Sequence, residues 1–142
     1  MAISERARMQ KQALLPLEGE HYISLTTLRR NGMAVATPVW FVTLDDRVCL
    51  YTGASTGKLK RIRANPRVTV APCTLRGDVT GPTIVGTASI VSDQAEIRRI
   101  IAALGKKYGW HYHLLMWYSS ITSRFRRGPK GSWAYIAISS HL

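Results

Sequence analysis

The segment TGKLKRIRANPR, Thr56 to Arg67, carries Lys58, Lys60, Arg61, Arg63 and Arg67 and no acidic residue. Such a run binds an anion or faces open water. Its first residues are the most informative. An apolar stretch, VCLYT, leads through a short polar link into ASTGK, the order expected of a strand, a loop and a helix start. The first N–H groups of a helix lack backbone partners and sit at its positive end. Thr56 adds a hydroxyl, Gly57 lets the backbone come close, and Lys58 adds a full charge, so these residue types suit a phosphate. The stretch is neither the Gly-x-x-x-x-Gly-Lys loop of nucleotide hydrolases nor a Gly-x-Gly-x-x-Gly fingerprint. A plain capped helix with a solvated basic face has the same pattern.

Other chemistries have less behind them. His111 and His113 are two apart and point to different sides of a helix; neither they nor His21 and His141 have a Cys or carboxylate at ligand spacing, so no metal is expected. There is no Gly-x-Ser-x-Gly elbow and no Cys/His pattern for nucleophilic catalysis. With eight acidic residues in all, a carboxylate pair for hydrolysis is not expected either. Cys49 and Cys73 lie in apolar, strand-like runs and read as buried thiols.

The chain of 142 residues suffices for one domain, residues 1–142, with a real core. Its net charge of +12 attracts polyanions in general and also favours solubility. No apolar run approaches the ~18 residues that cross a bilayer. The start, MAISERARMQKQALL, has charges where a signal peptide would be apolar. The expectation is a soluble, cytoplasmic protein with no membrane partner.

The elements that must position the basic segment are mostly strands. Residues 3–16 read as a helix stopped by Pro16 and Gly19. HYISLTTLRR alternates, and Asn31-Gly32 follows as a hairpin signal, because both residues tolerate positive φ. MAVATPVWFVTL reads as the return strand. It is apolar on both faces and so expected to be covered on both, with a bulge or an unpaired edge at Pro38. Asp45-Asp46 turns the chain into RVCLYT. A helix from Thr56 to about Ala64, with Ser55 as N-cap, turns Leu59 and Ile62 to the core and ends at Asn65-Pro66. RVTVAPC and TIVGTASIV are further strands. SDQAEIRRIIAALGKKYG is a helix with Ile97, Ile100, Ile101 and Leu104 as its stripe, WHYHLLMWYSSITSRF a broken helix, and SWAYIAIS the sixth strand. The fold class predicted is mainly β, a six-stranded antiparallel barrel with peripheral helices.

The ordered set TTLRRNG, VATPVWF, DD, VCLYT, TGKLKRIRANPRV and APC resembles the pyridoxamine 5′-phosphate oxidase-like superfamily of split β-barrels, the FMN-binding split barrels. Within it, the set is similar to the branch of flavin/deazaflavin oxidoreductases that uses the deazaflavin coenzyme F420. The match covers residues 20–91, with a looser likeness in the KKYG helix and the final strand. The resemblance implies a homodimer with two cofactor sites at its interface. It implies that Thr37, Pro38, Val39 and Trp40 run along the ring system, their backbone groups facing its pyrimidine edge. Tyr51 and Thr52 would stand beside the cofactor phosphate, and Thr56 and Lys58 would bind it. Gly57 replaces an arginine common in the pyridoxamine phosphate oxidases proper. That leaves one phosphate partner to be found, and Arg61, one turn on, is the candidate. The C-terminal Arg-x-His that grips substrate in those oxidases is absent, since no arginine follows Arg127. Oxidation of pyridoxamine phosphate is therefore not expected.

The implied activity is hydride transfer between F420 and a small unsaturated or quinone-like substrate. FMN has one phosphate, whereas F420 has a phosphodiester and an oligoglutamate tail. Such a tail suits Lys60, Arg61 and Arg63, and Arg124, Arg126, Arg127 and Lys130 from either chain, because arginine grips carboxylates in a two-pronged fork. Trp40, Tyr51 and Trp133 are candidates for lining the pocket or for plain core. No side chain stands out as catalytic. The first alternative is an FMN-binding oxidoreductase of the same fold. The second is a basic barrel that binds nucleic acid, which would want aromatic residues among its charges to stack bases; KLKRIRANPR has none.

Overall fold

The computed structural model describes residues 2–53, 57–109 and 133–140. Helix α1 (Ala2–Ala13) leads through a 3-10 turn (Leu15–Leu17) into strands β1 (Tyr22–Leu28), β2 (Ala34–Val39), β3 (Val42–Leu44) and β4 (Arg47–Gly53). Helix α2 (Gly57–Ala64), strands β5 (Arg67–Cys73) and β6 (Ile84–Val91), helix α3 (Gln94–Tyr108) and strand β7 (Trp133–Ser140) follow. All seven strands join one antiparallel sheet in the order β2-β1-β5-β6-β7-β4-β3.

The edge strands of this sheet, β2 and β3, are separated in the chain by Trp40 and Phe41 alone. Three peptide links reach at most about 11 Å, so the two edges must meet at that point and the sheet must roll up. The result is a split barrel. It has seven strands where six were expected, because MAVATPVWFVTL breaks at Trp40-Phe41 and its halves pair on opposite edges. Nor is the first half covered on both faces. Ala34, Ala36 and Pro38 are exposed, while Val35, Thr37 and Val39 are half-buried. Pro38 sits opposite Ser24 on this edge strand, where a missing N–H is tolerated.

The hairpin turns also differ from expectation. Only Gly32 takes a positive φ, 86°; Asn31 does not. Gly32 N–H donates to Arg29 O and Arg29 N–H to Met33 O, both at 2.9 Å, so residues 29–33 form a longer loop rather than a two-residue turn. The tight turn with positive φ at both positions is Asp45 (54°) and Asp46 (59°), which joins β3 to β4.

Inside the barrel, alternate residues Ile23 and Leu25 of β1, Val48 and Leu50 of β4, and Ile136 and Ile138 of β7 form the core. Leu59 and Ile62 of α2 are buried in it as their spacing requires, each contributing roughly 1.5–3 kcal/mol. Leu14 and Leu17 enter it from the turn before β1. Helix α3 lies on the outer face, its Ile100, Leu104 and Tyr108 packed against Cys49, Val91, Tyr135 and Ala137. Ile101, expected on that stripe, is exposed; Tyr108 extends the stripe instead, since residues four apart share a face. Ion pairs Arg47–Glu96 and Arg99–Asp45 (2.9 Å) tie α3 to the β3–β4 hairpin. Both cysteines are buried, and burial pushes the Cys49 thiol up to about 11. Among the described residues no helix is long and apolar enough to cross a membrane. The predicted Ser55 cap, the broken helix after α3 and the segment RFRRGPK lie outside the described residues.

Candidate cofactor site

Helix α2 packs on β1 and β4 and sets its basic residues around the end of β1. Because Leu59 and Ile62 must face inward, Arg61 is directed along the barrel mouth. Its Nε donates to Thr27 Oγ1 at 2.6 Å, and Thr27 is fully buried. The guanidinium lies across the first turn of α2: a Cβ on Gly57 would stand 2.7 Å from Arg61 Nη1. Lys58 is half-buried. Burial, and then the neighbouring charge of Arg61, pull its pKa below the usual lysine range. Among the described residues, no acidic side chain pairs with Lys58 or Arg61.

Beside this pair opens a cavity of about 730 Å³. Its walls carry the cations Arg29, Arg30, Lys60, Arg61 and Arg63, with Leu28, Gly57 and Ala64 between them. Among the described residues five cations line the space, and no carboxylate does. In the sequence Arg29 and Arg30 stand at the end of a strand-like run. They join α2 across more than twenty-five residues of sequence, and the one sign of it in the sequence is a pair of adjacent arginines beside a turn.

On the edge strand, Thr37 pairs opposite Leu25, and Val39 packs against the interior core. The Thr37 Oγ1 is buried with no hydrogen-bond partner among the described residues. Leaving a hydroxyl in that state costs about 1–3 kcal/mol. Trp40 turns to the other face and stacks on Tyr108, ring centroids 4.4 Å apart and planes 7° from parallel. Tyr51 lies on that outer face too, edge-on to Trp133 at 5.2 Å, and burial pushes its hydroxyl up to about 12. Thr52 is buried.

The predicted site residues thus fall into groups. Gly57, Lys58 and Arg61 come together on α2, with Thr27 and the arginines of the β1–β2 loop as additions. Thr37, Pro38 and Val39 lie on the edge strand β2, whose partner β1 also carries Thr27. Trp40 and Tyr51 are on the outer face near α3, with Thr52 at the end of β4. Thr56 lies outside the described residues. The cavity is lined by Gly57 and Arg61 of this set and by none of its strand residues.

Two features of the groups suit an anionic, ring-bearing ligand: the orphan hydroxyl of Thr37 on the edge strand, and the guanidinium laid over a glycine backbone beside an unneutralised lysine. The rolled sheet with this basic mouth is a split-barrel fold. The pyridoxamine 5′-phosphate oxidase family matches residues 9–132, and the chain belongs to that family. Similar solved structures include a Listeria innocua protein provisionally named a pyridoxamine 5′-phosphate oxidase, at 20% identity, with 94% of each chain covered and a TM-score of 0.63. A FAD-binding protein from Mesorhizobium loti shares 15% identity over 92% of this chain and 87% of its own, with a TM-score of 0.60. An F420 reductase shares 17% over 91% and 93%, with a TM-score of 0.56. At these identities the likeness is one of fold. No curated protein matches the chain.

Proposed function

We propose that the protein is an F420-dependent oxidoreductase acting on a small unsaturated or quinone-like substrate. The observation that carries this reading is the cavity beside Gly57 and Arg61, where, among the described residues, five cations meet no lining carboxylate. Exposed ion pairs contribute only about 0–1 kcal/mol each, so a site of this kind suits a ligand with several negative groups. A phosphodiester with a glutamate tail is such a ligand. FMN, with a single phosphate, would leave most of these cations without a partner, and it remains the alternative within the same fold. A nucleic acid fits less well, because among the described residues no aromatic side chain lines the cavity to stack a base.

In this reading Lys58, Arg61 and Thr56 hold the phosphate, and Arg29, Arg30, Lys60 and Arg63 take the tail carboxylates. Thr37 to Trp40 flank the ring system, and the Thr37 hydroxyl meets a polar group at its edge. The bound cofactor supplies two-electron hydride chemistry; the protein's part is to bind, orient and exclude water. A homodimer belongs to the same proposal: Ala34, Ala36 and Pro38 of the edge strand, with Met33 just before it, are exposed apolar residues that a second copy would cover.

The test is a titration of the purified protein with F420, followed by its fluorescence at low and at high salt. Micromolar binding that weakens with salt is expected. A protein that purifies yellow with a flavin spectrum would instead favour FMN, and failure to bind F420 at low salt would remove the leading reading.

A further inference from the structure

Tyr108 touches both residues of the crossover between the barrel's two edges. Its ring stacks on the Trp40 indole. Its hydroxyl accepts the Phe41 N–H at 3.0 Å and lies 2.8 Å from His21 O and 2.9 Å from Phe41 O. A phenol has one proton to give. Lys107 already donates to Phe41 O at 2.9 Å, its ammonium 3.5 Å from the centroid of the Phe41 ring, so the Tyr108 proton is free for His21 O. Both backbone groups of Phe41 then have a partner, supplied by the last turn of α3.

Filling space does not require this arrangement. Ile100 and Leu104 bury the same helix face with apolar side chains alone. Tyr108 adds polar contacts that fix where the crossover sits and a parallel stack that fixes the plane of the indole. Trp40 follows directly on Thr37 to Val39, so whatever holds Trp40 also holds the end of that edge strand.

We propose that Tyr108, supported by Lys107 on the Phe41 carbonyl, is a positioning residue that sets the Trp40 indole and the Thr37–Trp40 segment for the cofactor ring. This rests on the functional reading above.

The experiment compares Tyr108→Leu, Tyr108→Phe and Leu104→Ala with the wild type. For each, thermal stability, affinity for F420, the emission spectrum of bound F420 and affinity for inorganic pyrophosphate are measured. Tyr108→Leu is expected to weaken F420 binding about tenfold and to shift the bound spectrum, with pyrophosphate affinity unchanged, because the anion cavity is built by other residues. Tyr108→Phe keeps the stack and loses the hydrogen bonds, so a loss of about threefold is expected, in line with the modest net contribution of such bonds. Leu104→Ala should lower the melting temperature and leave the bound spectrum unaltered. If the Tyr108 variants bind F420 with the wild-type spectrum, or lose affinity only in step with stability as Leu104→Ala does, the positioning role is overturned. A wild type that binds pyrophosphate but not F420 overturns the cofactor reading first, and this inference with it.

Discussion

A Cβ on Gly57 would stand 2.7 Å from Nη1 of Arg61, so a side chain at residue 57 and the present seat of the Arg61 guanidinium exclude each other. The family resemblance places an arginine at residue 57 in the oxidases proper. Here the glycine leaves that space to an arginine one turn later, anchored from behind by Thr27. Gly57→Ala should keep the fold, because the contact it would make is with the far end of a flexible guanidinium that can move. It should nonetheless weaken pyrophosphate binding, as Arg61→Gln should. The double variant should be little worse than Arg61→Gln alone, since both changes act on one group. Calorimetric titration of the three variants checks this, and strictly additive losses would separate the two residues.

Lys58 is half-buried beside Arg61 with its charged form disfavoured. Such a group stabilises the protein only when an anion arrives. Lys58→Ala should therefore leave the ligand-free protein as stable as the wild type, or more so. It should also remove most of the rise in melting temperature that pyrophosphate produces, since that rise follows ligand affinity. Thermal unfolding with and without pyrophosphate reads both halves of the prediction. A ligand-dependent rise equal to that of the wild type would take Lys58 out of the anion site.

Gly86 lies in β6 between β5 and β7, and its position is set by close approach. A Cβ there would meet Ser139 O and Ile138 Cγ2, both at 2.7 Å. A strand backbone cannot retreat as a guanidinium can. Gly86→Ala should destabilise the protein by about 1–3 kcal/mol, the usual range for overpacking a core. The midpoint of urea unfolding should fall with its slope unchanged.

These contrasts show what the sequence made legible. Leu59 and Ile62 were readable as core because their spacing is local and their helix has one apolar face. That Gly57, Lys58 and Arg61 lie together on α2 was readable for the same reason. Turn chemistry was readable only in part: Asn31-Gly32 has the stronger signal, yet Asp45-Asp46 takes the tight positive-φ turn, its first carboxylate held by Arg99 of α3. The break at Trp40-Phe41 left no local mark, since the run on either side is uniformly strand-like and only barrel closure forces it apart. Arg29 and Tyr108 carry no such mark, because each meets its neighbours far away in sequence, Arg29 across the cavity from α2 and Tyr108 at Phe41.

Lys107 gives the crossover a pH dependence whose sign follows from its surroundings. Burial against Phe41 and Tyr108 pulls its pKa down to about 8, from 10.5 for a free lysine; Glu20 opposes the shift. The Tyr108 hydroxyl, pushed up to about 12 by burial, stays protonated across this window. Between pH 8 and 10.5 the unfolded chain holds a proton at Lys107 that the folded chain has released. Stability must therefore rise with pH in that interval as far as this group is concerned. The penalty on folding is complete below about pH 8 and gone above about 10.5. Lys107→Met removes the titration, so the stability of the wild type relative to the variant should climb through the window and be level on either side. Denaturant unfolding of both proteins at stepped pH measures this difference and cancels groups that titrate alike in the two. A difference that stays flat from pH 7 to 11 would mean that the ammonium is solvated and does not hold the Phe41 carbonyl.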